Sequence, residues 1–315
     1  MKIIYMGTPQ FAVAPLQKLI NSNHEIVAVV TQPDKPVGRS KQLQMCPVKK
    51  LALENNIPVY QFNKIRIDGV ETINNITADI IVTCAYGQIL NSEILFAKKY
   101  GVINIHGSLL PKYRGASPIQ SAIINGEEKT GITILKSDIG IDDGDIILKT
   151  ELNIFTNETY GELANRLSDL GANTIITALD LIENGKATYT PQDDSEATHC
   201  KMFPSDFGKI TFELSAKDTV NLINGINPSP VAFMYINSKR YKIYNAHIYT
   251  NINLNLEDYV NGEVVIAKSK LGLIIKAKDG FVSIDKIQAE NGKILDTRDF
   301  LNSGKIIVGD KVTNE

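Results

Sequence analysis

The chain has 315 residues, of which 43% are hydrophobic and 22% charged, and its formal net charge is −2. These values are typical of a globular protein with a sizeable core, and the length suits two domains better than one. No overall positive charge indicates a nucleic-acid partner, although a local basic patch is enough to bind one.

The cysteines and the apolar runs exclude two further classes of protein. Cys46, Cys84 and Cys200 are scattered and form no C-x-x-C pair, so we expect free thiols in a reducing compartment. The opening MKIIYMGTP is typical of a strand and a turn, and the sequence holds no apolar run of 18 residues. We therefore expect a cytoplasmic protein without a membrane partner.

The first half alternates between strand and helix patterns. Lys2–Met6 and Glu25–Thr31 are typical of buried strands, and Phe11–Asn21 between them has helical spacing. This order predicts parallel strands with a right-handed crossover. Further strands are predicted at 58–61, 79–84, 101–105, 131–135 and 146–152, and helices at 48–55, 67–74, 91–99, 119–124 and 159–183. The fold class predicted is α/β, a Rossmann-like, mostly parallel sheet with helices on both faces.

Residues 31–50 interrupt this alternation with prolines, a glycine and many polar residues. Between positions 35 and 50 the segment contains five basic residues and no acid, namely Lys35, Arg39, Lys41, Lys49 and Lys50. A basic loop of this kind can bind phosphate, and it can equally be a solvated surface loop. The charges alone favour the solvated loop.

Polar residues gather where two predicted strands end. Tyr86–Leu90 follows the strand predicted at 79–84, and Asn104 and His106 lie at the end of the strand predicted at 101–105. Ligands of open α/β sheets bind beyond the carboxyl ends of the strands, so these segments and Thr8 should surround one crevice. Asn104 and His106 are two residues apart, which puts their side chains on one face of an extended strand. A capped strand end with a buried histidine is the plain alternative.

Residues 137–145 contain four carboxylates and two glycines, in the order Ser-Asp-Ile-Gly-Ile-Asp-Asp-Gly-Asp. The spacing fits a calcium loop poorly. Two interpretations remain open, a solvated acidic turn and a loop that places one carboxylate against the Asn104/His106 pair. No ligand spacing for a metal occurs among the histidines and cysteines, and His199-Cys200 is a weak candidate.

The last third of the sequence has a different pattern of predicted elements. A helix is predicted at 215–226, followed by five short strands at 231–236, 240–249, 262–267, 271–277 and 282–287 and a helix at 296–302. Short strands separated by turns predict a small antiparallel, OB-like β-barrel. The domains expected are residues 1–188, a linker at 189–205, and residues 206–315.

The segment NIHGSLLPKYRGASPIQ, residues 104–120, resembles the formyltransferase family that uses 10-formyltetrahydrofolate. The segments MGTPQFA, TQPDKPVGRSKQL, CAYGQIL and GIDDGD extend the resemblance over nearly the whole chain, toward family members that act on methionyl-tRNA. The family's Y-A and D-W dipeptides near the domain junction stand here as His199-Cys200 and Thr211-Phe212, and the chain contains no tryptophan. These departures lie outside the catalytic set.

The resemblance implies a role for several groups of residues. The catalytic residues would be Asn104, His106 and Asp142. The folate would be bound by Tyr86, Gly87, Gln88, Ile89, Leu90, Ser108, Leu109, Leu110, Pro111 and Asp138. Lys35, Arg39 and Lys41 would contact tRNA together with the barrel at 206–315, which reverses the preference for a solvated loop. The implied co-substrate is 10-formyltetrahydrofolate, no metal is expected, and the chain is expected to be a monomer.

The implied reaction moves a formyl group from the folate to the free amine of methionyl initiator tRNA. Asn104 and His106 would donate hydrogen bonds to the oxyanion, and Asp142 would hold His106 and help to move protons. One alternative is a sugar-nucleotide amine formyltransferase with the same site. Another, of a different class, is a non-catalytic tRNA-binding protein.

Overall fold

The computed structural model describes residues 1–37, 42–204, 206–250 and 254–315. The predicted tRNA contacts Arg39 and Lys41 therefore lie outside the described residues. The chain forms two compact units. The first comprises residues 1–118, 130–153 and 164–200, and the second comprises residues 119–129, 154–163 and 201–315.

The strands follow in chain order: β1 Lys2–Gly7, β2 Glu25–Thr31, β3 Lys35–Val37, β4 Gln42–Gln44, β5 Val59–Gln61, β6 Ile80–Cys84, β7 Val102–His106, β8 Arg114–Gly115, β9 Lys129–Lys136, β10 Ile146–Asn153, β11 His199–Cys200, β12 Ala232–Ile236, β13 Lys239–Tyr249, β14 Val264–Lys268, β15 Gly272–Ala277, β16 Gly280–Ala289, β17 Leu295–Asp296 and β18 Val312–Thr313. The helices are α1 Val13–Ile20, α2 Pro47–Glu54, α3 Val70–Asn75, α4 Ser92–Leu95, α5 Pro118–Ile124, α6 Tyr160–Glu183, α7 Ala216–Gly225 and α8 Thr297–Leu301.

The first unit is built on a seven-stranded sheet in the order β10-β9-β7-β6-β1-β2-β5. The five strands from β7 to β5 run parallel to their neighbours, and β9 is antiparallel to β7. The predicted Rossmann-like, mostly parallel sheet is confirmed. The pairing of β6 with β7 puts Thr83 directly beside Asn104.

Both faces of this sheet are covered, as β1 shows. Ile4 and Met6 belong to a buried cluster with Ile73 of α3. Tyr5 points to the opposite face, where its hydroxyl donates to the carbonyl of Ala12 at 2.6 Å, just before α1. Continuous apolar runs such as that of β1 arise because strands buried on both faces need apolar residues at every position.

Helix α6 comes close to the sheet at Gly171. A Cβ atom at this position would lie 3.1 Å from the Cγ2 of Ile105 in β7. The glycine therefore lets the helix pack tightly behind the strand that carries Asn104 and His106.

The second unit contains an antiparallel sheet in the order β14-β15-β16-β13-β12-β18, with β17 beside β16. A bridge between Glu263 and Lys311 joins the start of β14 to the segment before β18. The N–H of Val264 also donates to the carbonyl of Asp310 at 2.8 Å, so the last strand returns to the first. The sheet curls into a small barrel around one apolar cluster, as predicted.

Several details differ from the sequence predictions. The segment 31–50, predicted to be a loop, contains the hairpin β3–β4, in which Lys35 pairs with Gln44. The helix predicted at 91–99 is limited to α4, four residues long. Among the residues that the structure describes, every helix is too short or too polar to span a membrane.

Candidate active site

Asn104 lies on β7 next to Thr83 of β6, and this neighbour decides how its amide is oriented. The Thr83 hydroxyl donates to Asn104 Oδ1 at 2.9 Å. The Asn104 Nδ2 therefore points the other way, where it donates to Asp142 Oδ1 at 3.2 Å. An amide nitrogen carries two hydrogens, so one of them remains for a further acceptor.

His106 is the last residue of β7 and is 5% exposed. Its Nε2 lies 2.9 Å from the carbonyl oxygen of Tyr113, and its Nδ1 lies 3.5 Å from Asp142 Oδ2. Each ring nitrogen thus faces an oxygen that can only accept. A neutral ring carries one N–H and serves one of these oxygens, whereas the protonated ring serves both.

The structure brings Asp142 to the Asn104/His106 pair, as one interpretation of the acidic loop requires. Its Oδ1 accepts from Asn104, and its Oδ2 accepts from the N–H of Gly115 at 2.9 Å. Its backbone has φ of 54°, in the left-handed region that residues other than glycine adopt at a cost. The surrounding contacts must hold the loop in this conformation.

Position 115 requires a glycine, because the backbone of another short strand, β11, lies too close for a side chain. It has φ of 112°, and a Cβ atom would lie 2.3 Å from the carbonyl oxygen of Cys200. Here β8 pairs in parallel with β11, whose two residues are the departure from the family pattern, His199-Cys200. Their backbone positions Gly115, and the Cys200 side chain is partly buried, with Sγ 3.4 Å from the carbonyl oxygen of Arg114.

In the 86–90 loop, predicted to bind the folate, Tyr86 and Gln88 form hydrogen bonds with other parts of the chain. The carbonyl of Tyr86 accepts from the Thr8 hydroxyl and from Gln32 Nε2, both at 3.2 Å. The side chain of Gln88 accepts from the N–H of Ile65 at 2.8 Å. Tyr86 is buried, which raises the pKa of its hydroxyl. The tip of the loop is open, and Ile89 is 63% exposed.

The Ser108–Pro111 turn packs onto β9. The Ser108 hydroxyl donates to the carbonyl of Lys112 at 2.7 Å. Thr133 of β9 donates to the carbonyl of Ser108 at 2.7 Å and accepts from the N–H of Leu110 at 3.1 Å. Leu110 is buried, Leu109 and Pro111 are partly exposed, and Asp138 is exposed on the acidic loop.

Lys35 is exposed at the start of the β3–β4 hairpin, and the base of this hairpin is fixed by an ion pair. Lys49 Nζ donates to Asp34 Oδ2 at 2.6 Å and to Gln61 at 2.8 Å. The Lys49 hydrogen bond lowers the pKa of the Asp34 carboxyl. The hairpin also exposes Leu43.

Within the part of the chain that the structure describes, one group of three potential metal ligands has its ligand atoms within 4.8 Å of one another, namely His24, Asp180 and Glu183. None of them is one of the predicted catalytic residues.

Three residues of the site were missed by the sequence reasoning. Thr83 orients the Asn104 amide, Gly115 supplies an N–H to Asp142, and Gln192 donates to the carbonyls of Asp142 and Gly144 at 2.8 and 2.7 Å. The register of β6 and β7 could have indicated Thr83. Gln192 lies in the predicted linker, where the sequence gives no periodic signal.

Comparisons with known proteins agree over most of the chain. The family profile described as formyl transferase matches residues 1–179, and that described as formyl transferase, C-terminal domain, matches residues 203–305. The chain is 46% identical over 310 residues to the methionyl-tRNA formyltransferase of Alkaliphilus oremlandii, covering 98% of each chain. It is 42% identical over 310 residues to that of Lachnospira eligens, again with 98% of each chain covered.

A solved structure has the same fold. The sugar 3N-formyl transferase WlaRD, crystallised with dTDP and 5-N-formyl-THF, superposes with a TM-score of 0.71 at 24% identity. The superposition covers 93% of this chain and 99% of WlaRD.

Proposed function

The chain belongs to the formyltransferase family, among relatives that formylate methionyl-tRNA, and we propose that it transfers a formyl group from 10-formyltetrahydrofolate to the α-amine of methionyl initiator tRNA. The product, N-formylmethionyl-tRNA, serves translation initiation, which places the reaction in the cytoplasm. In this proposal residues 1–188 carry the chemistry, residues 206–315 bind tRNA, and one chain acts alone. The segment 189–205 contributes Gln192 to the site.

One observation carries the chemistry: the Asp142 carboxylate lies between the two other residues of the set. Its oxygens are 3.2 Å from Asn104 Nδ2 and 3.5 Å from His106 Nδ1. The distance from His106 Nδ1 to Asp142 Oδ2 is long for a hydrogen bond, so an Nδ1–H can donate instead to a substrate oxygen that enters the site. An amide donor, an imidazole and a carboxylate together serve acyl transfer to an amine.

The reaction begins when the amine nitrogen attacks the formyl carbon, and the carbonyl oxygen becomes an oxyanion. The free N–H of Asn104 donates to this oxygen, as does the Nδ1–H of the protonated His106 ring, whose Nε2–H donates to the Tyr113 carbonyl. Asp142 takes a proton from the attacking nitrogen, directly or through a water molecule. The oxyanion then re-forms the carbonyl and the bond from the formyl carbon to N10 breaks. N10 receives the proton that Asp142 took up, directly or through a water molecule, and tetrahydrofolate leaves. Each oxyanion donor contributes about 10²–10³ to the rate.

Exposed apolar side chains support the assignment of the folate loops. Ile89 of the 86–90 loop is 63% exposed, and Ile139 and Ile141 beside Asp142 are 73% and 62% exposed. Isolated large apolar side chains are common on surfaces, but here they occur on the 86–90 loop and next to Asp138, to both of which the resemblance assigns the folate. The face of a bicyclic ring would cover such side chains on binding, while its polar edge groups take hydrogen bonds.

Two surfaces support a tRNA partner. The first is the β3–β4 hairpin, with the exposed Lys35 at its start; Arg39 and Lys41 follow β3 in the sequence and lie outside the described residues. The second is a polar depression of about 200 Å³ on the barrel, lined by Arg240, Lys242, Gln288, Ala289, Glu290 and Asn291. The Arg240 guanidinium lies 3.8 Å from the ring centroid of Phe233. Basic side chains beside aromatic rings are typical of nucleic-acid contacts.

The deciding experiment gives the protein 10-formyltetrahydrofolate labelled in the formyl group and one of three acceptors. These are methionyl initiator tRNA, methionyl elongator tRNA and a dTDP-linked amino sugar. Label on the initiator tRNA, with far less on the elongator, is the expected result. Label on the sugar alone would show a sugar-nucleotide formyltransferase, and tRNA binding without any transfer would show a non-catalytic protein.

A further inference from the structure

The Asp142 loop is held from behind by one side-chain amide. Gln192 Nε2 donates to the carbonyl oxygen of Asp142 at 2.8 Å and to that of Gly144 at 2.7 Å. Both hydrogens of one amide thus bind carbonyls two residues apart. They span the loop from Asp142 to Gly144 and so support the backbone where Asp142 has its left-handed conformation.

Arg114 fixes the orientation of Gln192. Its Nε donates to Gln192 Oε1 at 3.0 Å, and a guanidinium can only donate. The oxygen of the Gln192 amide must therefore face Arg114 and its nitrogen must face the loop. Arg114 is 5% exposed, and its Nη2 donates to Asp194 Oδ1 at 2.8 Å.

The chain next to Arg114 also reaches the carboxylate itself. The N–H of Gly115 donates to Asp142 Oδ2 at 2.9 Å, so two consecutive residues hold both ends of Asp142. Gly115 holds the side chain directly, and Arg114 holds the backbone through Gln192. Rotation of the loop would break both connections at once.

We propose that Gln192, oriented by Arg114, is a positioning residue that fixes the 142–144 backbone and thereby directs the Asp142 carboxylate at Asn104 and His106. The proposal rests on the catalytic role given above to Asp142. Gln192 touches no reacting atom in this scheme, so its whole effect on the rate passes through Asp142.

A double-mutant cycle tests this dependence. Gln192→Leu removes the amide at similar size, and Asp142→Ala removes the carboxylate. We expect Gln192→Leu to lower the single-turnover rate about 10- to 100-fold in the native background and less than twofold in the Asp142→Ala background. The KM for methionyl-tRNA should change less than twofold. Equal losses in both backgrounds, or a native rate for Gln192→Leu, would overturn the proposal.

Gln192→Glu separates the two halves of the Gln192 contact. Its carboxylate still accepts from Arg114 but offers no hydrogen to the carbonyls of Asp142 and Gly144. It should therefore be as slow as Gln192→Leu, while Glu196→Gln, an exposed change in the same segment, should retain the native rate. A fully active Gln192→Glu protein would contradict the positioning role and leave only packing.

Amide hydrogen exchange supplies a measurement that is independent of turnover and of folding yield. The N–H of Gly115 reports whether the Asp142 carboxylate is in place. We expect its exchange to be at least tenfold faster in Gln192→Leu and Gln192→Asn than in Glu196→Gln, and unchanged exchange would refute the mechanism. If the native protein uses the amino sugar, the proposed acceptor is wrong, and the same cycle run with that sugar still tests Gln192.

Discussion

Replacing Asp142 by asparagine removes a charge and one acceptor oxygen while keeping the size of the side chain. The fold should tolerate the change, because asparagine adopts the left-handed conformation found at this position more readily than most residues. The new amide offers one acceptor oxygen where the carboxylate offered two. Its oxygen is expected to face the fixed N–H of Gly115, and its NH₂ group then faces the NH₂ group of Asn104.

Two donors cannot share a hydrogen bond, so the Asn104 amide must turn over. Thr83 allows this, because its hydroxyl can accept from Asn104 while donating to the Ile103 carbonyl, now 3.3 Å away. The turn removes an oriented donor from the reacting oxygen, which costs about 10²–10³ in rate, or about 2.7–4 kcal/mol. Losing the proton acceptor adds a factor of at least about 10². We therefore expect the rate to fall at least about 10⁴-fold.

The assay is single-turnover formyl transfer with saturating methionyl-tRNA and 10-formyltetrahydrofolate, which isolates the chemical step. Asp143→Asn is the matched control, because it removes the same charge from the exposed neighbouring side chain and should change the rate less than about twofold. A folded Asp142→Asn protein whose rate lies within tenfold of the native protein would refute this account of the site.

Three further changes test other parts of the structure. Thr83→Val should lower kcat about tenfold with little change in KM, because the Asn104 amide, proposed to be catalytic, loses the hydroxyl that orients it at 2.9 Å. Arg39→Ala and Arg240→Ala should each raise the KM for methionyl-tRNA several-fold and leave the KM for the folate unchanged, since phosphate contacts act on the tRNA alone. Thr159→Ala should lower the free energy of unfolding by about 1 kcal/mol in urea titrations at pH 7, through loss of the hydroxyl that donates to Glu162 at 2.7 Å.

The controls for these changes are equally specific. Thr83→Ser keeps the hydroxyl and should retain the rate, and a native kcat in Thr83→Val would remove the orienting role. Lys50→Ala, a change at an exposed position of α2, should leave tRNA use intact. Parallel losses for tRNA and folate in Arg39→Ala would argue against a tRNA contact.

The cap at Thr159 has a test of its own in the pH dependence of stability. Hydrogen bonds from the N–H and hydroxyl of Thr159 lower the pKa of Glu162. The contribution of this ionised cap to the free energy of unfolding is therefore complete above the ordinary glutamate pKa of about 4.3 and disappears as the pH falls through the lowered pKa. A destabilisation as large at pH 3 as at pH 7 would contradict the cap.

The sequence predicted the elements in which apolar residues occur with a regular period or in a continuous run. The strand predicted at Glu25–Thr31 is β2 with the same bounds, and the long helix predicted at 159–183 is α6 from Tyr160. Apolar runs and capping residues carry this information locally. The helix predicted at 91–99 failed beyond Leu95, and Phe96 next to it is 61% exposed, so its apolar character did not reflect burial.

The sequence by itself determined the fold class of both parts of the chain and, through resemblance, predicted Asn104, His106 and Asp142 as the catalytic residues. Only the tertiary structure decided what surrounds them. Local sequence patterns do not distinguish the four carboxylates within residues 137–145. The Asp142 carboxylate reaches Asn104 because Asp142 itself has a left-handed backbone conformation. The partners that hold it are the N–H of Gly115 and the amide of Gln192. The first is a backbone group that every residue but proline carries, and the second lies 50 residues away along the chain, so local patterns in the sequence identify neither.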